Sequence, residues 1–245
     1  MELLKTEFRT DYCRQHVRRL LKGWGMYHYK PQPRDYRQPD GAELKLKERL
    51  GAVADGLGLW GFGPEQVAFG FADESSPTAN SNTARLWSFF RKPRLVNSDK
   101  GLRHNTFGFY AIQGKSVAVE IESSRAESIK GCLEAIRQAN PQAGCTVVIW
   151  DNLPAHRHRE IERLARSMRI ILVNLPPYSP ELNPIEKVWK QIKRQISCQG
   201  FIESKEKLSQ IIFSGFEKLT QSTDLAHKWI EEFFIPVFGK SPNPL

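Results

Sequence analysis

Three acidic residues stand where the chain could do metal chemistry. Asp73 closes the apolar run VAFGFAD, Asp151 closes CTVVIWD, and Glu186 follows the proline-rich corner LPPYSPELNP at the start of a helical repeat. Carboxylates drawn close together repel one another, and a site that gathers them normally needs a divalent cation. Each residue also has a plainer reading. An aspartate after buried strand residues ordinarily begins a turn. The order Asn183-Pro184-Ile185-Glu186 has the spacing of an N-cap, a proline at the first helical position and an acid in the first turn, so capping alone could account for Glu186. What favours chemistry is that two aspartates end two similar strands, where ligands gather in sheets of this kind.

The elements that must position these residues are legible as alternating periods. VAFGFAD and ARLWSFF read as strands, and NTFGFYAIQGKSVAVEIE as a pair turning at Gln113-Gly114-Lys115. SRAESIKGCLEAIRQAN opens with Ser124 and Glu127 at capping-box spacing and sets Ile129, Cys132, Leu133 and Ile136 on one helical face. CTVVIWD is a buried strand; PAHRHREIERLARSM is an amphipathic helix with Ile161, Leu164, Ala165 and Met168 inside; RIILVNL is the next strand. In the helix after the proline corner, Ile185, Val188, Trp189, Ile192 and Ile196 form the apolar stripe, with Glu186 beside it. Tyr178 and Trp189 read as packing residues. A further helix runs from about Ser204 to Leu219. Strands joined by helical crossovers are parallel and must be covered on both faces, so the order implies an α/β fold, a mixed sheet flanked by helices.

The N-terminal part differs. TDYCRQHVRRLLKG reads as a short basic helix capped at Thr10 and stopped at Gly23, with Tyr12, Val17, Leu20 and Leu21 on one face. An aromatic hairpin and a proline-rich linker follow, and then a helix over about Ala42 to Leu57. A basic helix with an aromatic hairpin suits either the end of a winged helix-turn-helix or an arm packed on the core. The expected division is a DNA-binding segment and linker over 1–40, a connecting helix over 41–66 and a catalytic domain over 67–245.

Charge narrows the partner. Thirty-six Lys and Arg against 27 Asp and Glu leave a net +9 on 245 residues, which favours a polyanion. No apolar run reaches the roughly 20 residues of a membrane span, and no signal-peptide core opens the chain, so a cytoplasmic address is expected. Cys13, Cys132, Cys145 and Cys198 lack C-x-x-C spacing, which argues against structural zinc and a disulfide framework.

Taken together, FADES around Asp73, VVIWDNLPAH around Asp151 and LPPYSPELNPIEKVWKQIK around Glu186 resemble the DDE transposases of the mariner superfamily, in particular the insertion-sequence group numbered 630. The resemblance runs from about Val67 to the C-terminal helices. It implies a ribonuclease H-like five-stranded sheet with Asp73, Asp151 and Glu186 as catalytic and metal-binding residues, two Mg²⁺ ions for which Mn²⁺ can substitute, and cleavage at transposon ends followed by strand transfer. The implied partners are the terminal inverted repeats, target DNA and a second copy of the chain. Asn152, His156 and Asn183 match the family's motifs as supporting residues. YCRQHVRRLLKGWGMYHYKPQPR resembles the end of the family's second helix-turn-helix unit, which makes Arg14, Arg18 and Arg19 candidate DNA contacts; the first unit is expected to be missing. A non-catalytic DNA-binding remnant and another ribonuclease H-like nuclease remain as alternatives.

Overall fold

The computed structural model describes residues 6–7, 9–28, 35–80, 101–122, 126–152, 159–199, 201–239 and 241–242. The chain divides into two compact units, Met1–Tyr36 and Arg37–Leu245. In the first, helix α1 (Arg14–Gly23) begins three residues later than a cap at Thr10 would set it, without a side-chain cap at Cys13, and buries none of its residues. Tyr12, expected within the helix, instead stacks on His16 at 4.6 Å between ring centroids.

The second unit opens with helix α2 (Ala42–Leu59) and is organised by a sheet of β1 (Val67–Ser75), β2 (Thr106–Gln113), β3 (Val117–Glu120), β4 (Cys145–Trp150) and β5 (Ile170–Asn174), in spatial order β3-β2-β1-β4-β5. The ARLWSFF strand lies outside the described residues. β1 pairs antiparallel with β2 and parallel with β4, and β4 pairs parallel with β5. All six residues of β4 are buried, as a central strand covered on both faces requires. Its side chains alternate accordingly. Val147 and Ile149 enter one core with Phe69 and Phe71, while Val148 and Trp150 enter the other with Phe107 and Phe109.

Helices α3 (Ala126–Ala139) and α4 (Arg159–Ser167) cover the second of these faces through Ile129, Leu133, Ile136 and Ile161. The first face is covered by α2, by α5 (Ile185–Cys198), by α6 (Lys205–Leu219) and by short helical turns between Asp224 and Phe238. Those last turns carry Trp229, Phe233 and Phe234 onto β1; Trp229 meets Phe71 edge-on at 4.6 Å. α6 is capped by Ser204, whose hydroxyl accepts from the Lys207 amide at 3.2 Å.

Register along β1 depends on one glycine. A Cβ on Gly70 would come within 2.5 Å of the Tyr110 carbonyl oxygen and 2.8 Å of the Ala111 Cα, so only glycine lets β2 approach here. The β1–β2 register shifts at that point, where β2 carries one extra residue.

Candidate active site

The pleat itself aims the two aspartates. Phe71 pairs with Ile149 across the parallel β1–β4 ladder, so two residues further on Asp73 is carried level with Asp151. Phe71 and Ile149 both face the core containing α5, and side chains repeat every second residue, so both aspartates belong to that same face. Neighbouring strands lie about 4.8 Å apart, which sets the two aspartates side by side. β5 continues the row, because the Leu175 amide donates to the Trp150 carbonyl at 2.8 Å.

The chain then turns through Pro176, Pro177 and Pro180 and starts α5 beside these strand ends. A cleft of about 460 Å³ results, lined by Asp73, Asp151, Asn152, the corner from Leu175 to Pro180, Asn183 and Glu186. The structure thus brings all three sequence-derived carboxylates to one cleft. A larger groove, about 740 Å³, runs along β5 between Trp60 and Arg169, but among the described residues lining it Glu162 is the one acid.

Burial and mutual repulsion raise two of the cleft's carboxyls. The Asp73 carboxyl is held well above its ordinary range, first by loss of hydration and then by Glu186, Glu74 and Asp151, with a backbone hydrogen bond at Glu74 opposing. Glu186 is also raised, again mainly by lost hydration; Lys193 pulls the other way and Asp151 adds repulsion. Glu186 sits at the exposed rim. Among the described residues no three His, Cys, Asp or Glu side chains lie close enough to hold one ion together. The donor set nevertheless fits hard divalent cations, which take carboxylate oxygens.

These shifts set a pH dependence. Folded Asp73 and Glu186 keep their protons to higher pH than the unfolded chain, whose carboxyls titrate near about pH 4. Their contribution to stability is therefore full below that pH and is lost as pH rises through the raised values. A cation that relieves the repulsion should accordingly raise Tm by more at about pH 8 than at about pH 5. Thermal unfolding with and without Mg²⁺ at both pH values checks this, and equal increments would contradict it.

Asn183 departs from its expected role. α5 starts at Ile185, its N-cap position is Pro184, and no side chain caps it. The Asn183 amide instead donates to the Ala72 carbonyl on β1, at a long 3.5 Å, while its own backbone carbonyl accepts from the Glu186 amide at 3.1 Å. This one residue therefore links the neighbour of Asp73 to Glu186. Its Oδ1 is buried with no hydrogen-bond partner among the described residues, a vacancy that ordinarily costs about 1–3 kcal/mol.

Asn152 donates from Nδ2 to the Leu175 carbonyl and so ties the loop after β4 to the end of β5. His156 lies outside the described residues. Arg14, Arg18 and Arg19 are exposed on α1, with Arg19 Nη2 lying 3.3 Å from His16 Nδ1. Trp189 is buried as expected, 1% exposed.

Tyr178 overturns the packing expectation. It is 46% exposed, lines the cleft, and adopts φ 55°, a left-handed conformation that costs a non-glycine residue roughly 1–2 kcal/mol. Sequence reasoning missed what holds it: Arg37 lies over its ring, 3.9 Å from the centroid, and Gln38 donates to Ser179 Oγ at 3.1 Å and to Glu181. The four-proline corner was the available signal, since it advertises a rigid, unusual backbone.

Comparison with known proteins places this geometry. Residues 68–209 match the family described as DDE superfamily endonuclease, and residues 1–42 match a winged helix-turn helix family. The transposable element Tcb1 transposase of Caenorhabditis briggsae is 31% identical over 61 residues, which are 25% of this chain and 22% of that protein. The chain thus aligns with about a fifth of that relative's length. Among solved structures, the mariner Mos1 paired-end complex with Mg aligns at TM-score 0.62 and 15% identity over 98% of this chain and 74% of that one. The Mos1 strand transfer complex aligns at 0.58 and 13%, over 94% and 70%. The fold is the ribonuclease H-like one expected.

Proposed function

We infer the function from the premise that this chain belongs to the DDE superfamily endonucleases: it is a metal-dependent DNA nuclease and strand transferase, a transposase that cuts transposon ends and joins them to target DNA. The observation that carries the reading is the convergence of Asp73 on β1, Asp151 just after β4 and Glu186 at the start of α5 on a single cleft. These three side chains would hold the divalent cations, Mg²⁺ or Mn²⁺. Bound there, the ions would supply charge neutralisation at the scissile phosphate and activation of the attacking oxygen.

The protein's own share is positioning. Asp73 and Asp151 are fixed by the β1–β4 ladder, whereas Glu186 is fixed through the first turn of α5 and the amide of Asn183. Asn152 braces the wall between them. In each chemical step one P–O bond forms from water or from a DNA 3′-hydroxyl, and one P–O bond opposite it breaks. The attacking group's proton leaves to solvent or to a cleft carboxylate.

The relatives named above are transposases, and the Mos1 structures are of paired-end and strand transfer complexes. By analogy with them, the DNA partners proposed here are terminal inverted repeats, met through Arg14, Arg18 and Arg19, and target DNA, with two copies of the chain acting on paired ends. The net charge of +9 agrees with such partners. Among the described residues no helix is long and apolar enough to cross a membrane, and a nucleoid-associated protein of a prokaryotic cytoplasm is proposed.

The test is incubation of the full chain with DNA ending in the element's flanking repeats, with Mg²⁺, with Mn²⁺ and with a chelator. Nicking and strand transfer in both metals and not in the chelator are expected. DNA binding without cleavage under any of these conditions would overturn the catalytic reading and leave a DNA-binding remnant.

A further inference from the structure

The cleft poses an electrostatic difficulty for its own substrate. Three carboxylates line it, and none of the described residues lining it is basic. Cations held there would offset the charge at the scissile phosphate, and Lys193 acts on Glu186, but the neighbouring phosphates of the strand pass the opposite wall. That wall is the proline corner, and the guanidinium attached to it is Arg37, stacked on Tyr178.

We propose that Arg37 and Tyr178 together form a phosphate-binding post at the mouth of the carboxylate cleft, which holds a backbone phosphate of the DNA strand beside the one being cut. The proposal rests on the nuclease reading above and adds to it a substrate contact. Stacking engages the face of a guanidinium, whereas phosphate is recognised by its planar edge, so the Tyr178 ring orients the fork without competing for it. Arg37 is exposed, as a strand arriving from solvent requires.

The corner is built to hold this arrangement. Tyr178 keeps a left-handed backbone at φ 55° between Pro177 and Ser179, and its ring stays half in solvent although large apolar cores lie on both faces of the sheet. Unfavourable backbone of this kind persists where surrounding structure over-determines it, and it concentrates at ligand clamps. Here the surroundings are the flanking prolines, Ser179 Oγ donating to the Pro177 carbonyl at 3.1 Å, and Gln38 donating to that same hydroxyl. Glu181 accepts from Gln38 as well. Arg37 and Gln38 are consecutive, so one short segment delivers both the cation and the latch.

The test uses binding rather than cleavage, with a short fluorescein-labelled DNA duplex and the full chain across a salt series. Arg37→Ala is expected to weaken binding about tenfold and to lower the slope of log K against log salt by about one. Tyr178→Gly should do the same while leaving Tm unchanged or higher, because glycine accepts the left-handed backbone without strain. The double variant should bind no more weakly than either single one. An unchanged salt slope in Arg37→Ala, or losses that add in the double variant, would overturn the post while leaving the nuclease reading intact. Failure of the unaltered chain to bind DNA at all would overturn both.

Discussion

Asp73→Asn is expected to lower metal-dependent DNA cleavage by at least about a thousandfold and, in metal-free protein at neutral pH, to raise Tm. The two effects share one cause. Asp73 loses hydration and faces Glu186, Glu74 and Asp151, so its charge is unfavourable in the fold until a cation arrives. Asparagine keeps the shape, removes the charge and takes away a carboxylate that would hold the cation. Activity assays and thermal unfolding on the same preparation check the pair of outcomes. A variant that stays active, or that is less stable without metal than the parent, would contradict this account of Asp73.

Trp189→Ala should act on the fold. Trp189 lies three residues after Glu186 and is buried against Phe216, with ring centroids 5.4 Å apart. It also roofs Gly108 of β2, where an added Cβ would sit 2.7 Å from the indole. Truncating a buried tryptophan costs about 3–5 kcal/mol. The low end applies here, because Trp189 Nε1 has no hydrogen-bond partner among the described residues and its removal relieves that cost. Thermal unfolding should show a fall in Tm of roughly 6–12 °C for a unit of this size. A change near zero would mean that α5, and Glu186 with it, is held by other contacts.

Much of this site was legible because its positions are set by local rules. The apolar runs before Asp73 and Asp151 marked β1 and β4, although β1 continues past Asp73 to Ser75 because it stays paired with β2, and parallel pairing of β1 with β4 then made the two aspartates neighbours. The 3.6-residue stripe from Ile185 to Ile196 fixed which side of α5 is buried and left Glu186 at its edge. Other features depend on contacts distant in sequence. Asn183 carries the residue type of a helix cap, yet its amide turns to Ala72, 111 residues away, because that buried carbonyl lies beside it in the folded chain. Arg37 reaches Tyr178 across a similar separation.

The turns between Asp224 and Phe238 escaped for a different reason. Trp229, Ile230, Phe233 and Phe234 are buried, but they are spread over short helical turns of changing pitch, so no single period marks them. α1 starts after Cys13 rather than after Thr10, without a side-chain cap.

The central claim is that the cleft lined by Asp73, Asp151 and Glu186 binds divalent cations, and the most direct measurement is the anomalous difference density of crystals soaked in Mn²⁺. The account predicts peaks within coordination distance of these three carboxylates, about 2.0–2.3 Å from their oxygens, and their loss in Asp73→Asn. Manganese bound elsewhere on the chain, with the cleft empty, would contradict it and return Glu186 to the role of a helix-starting acid.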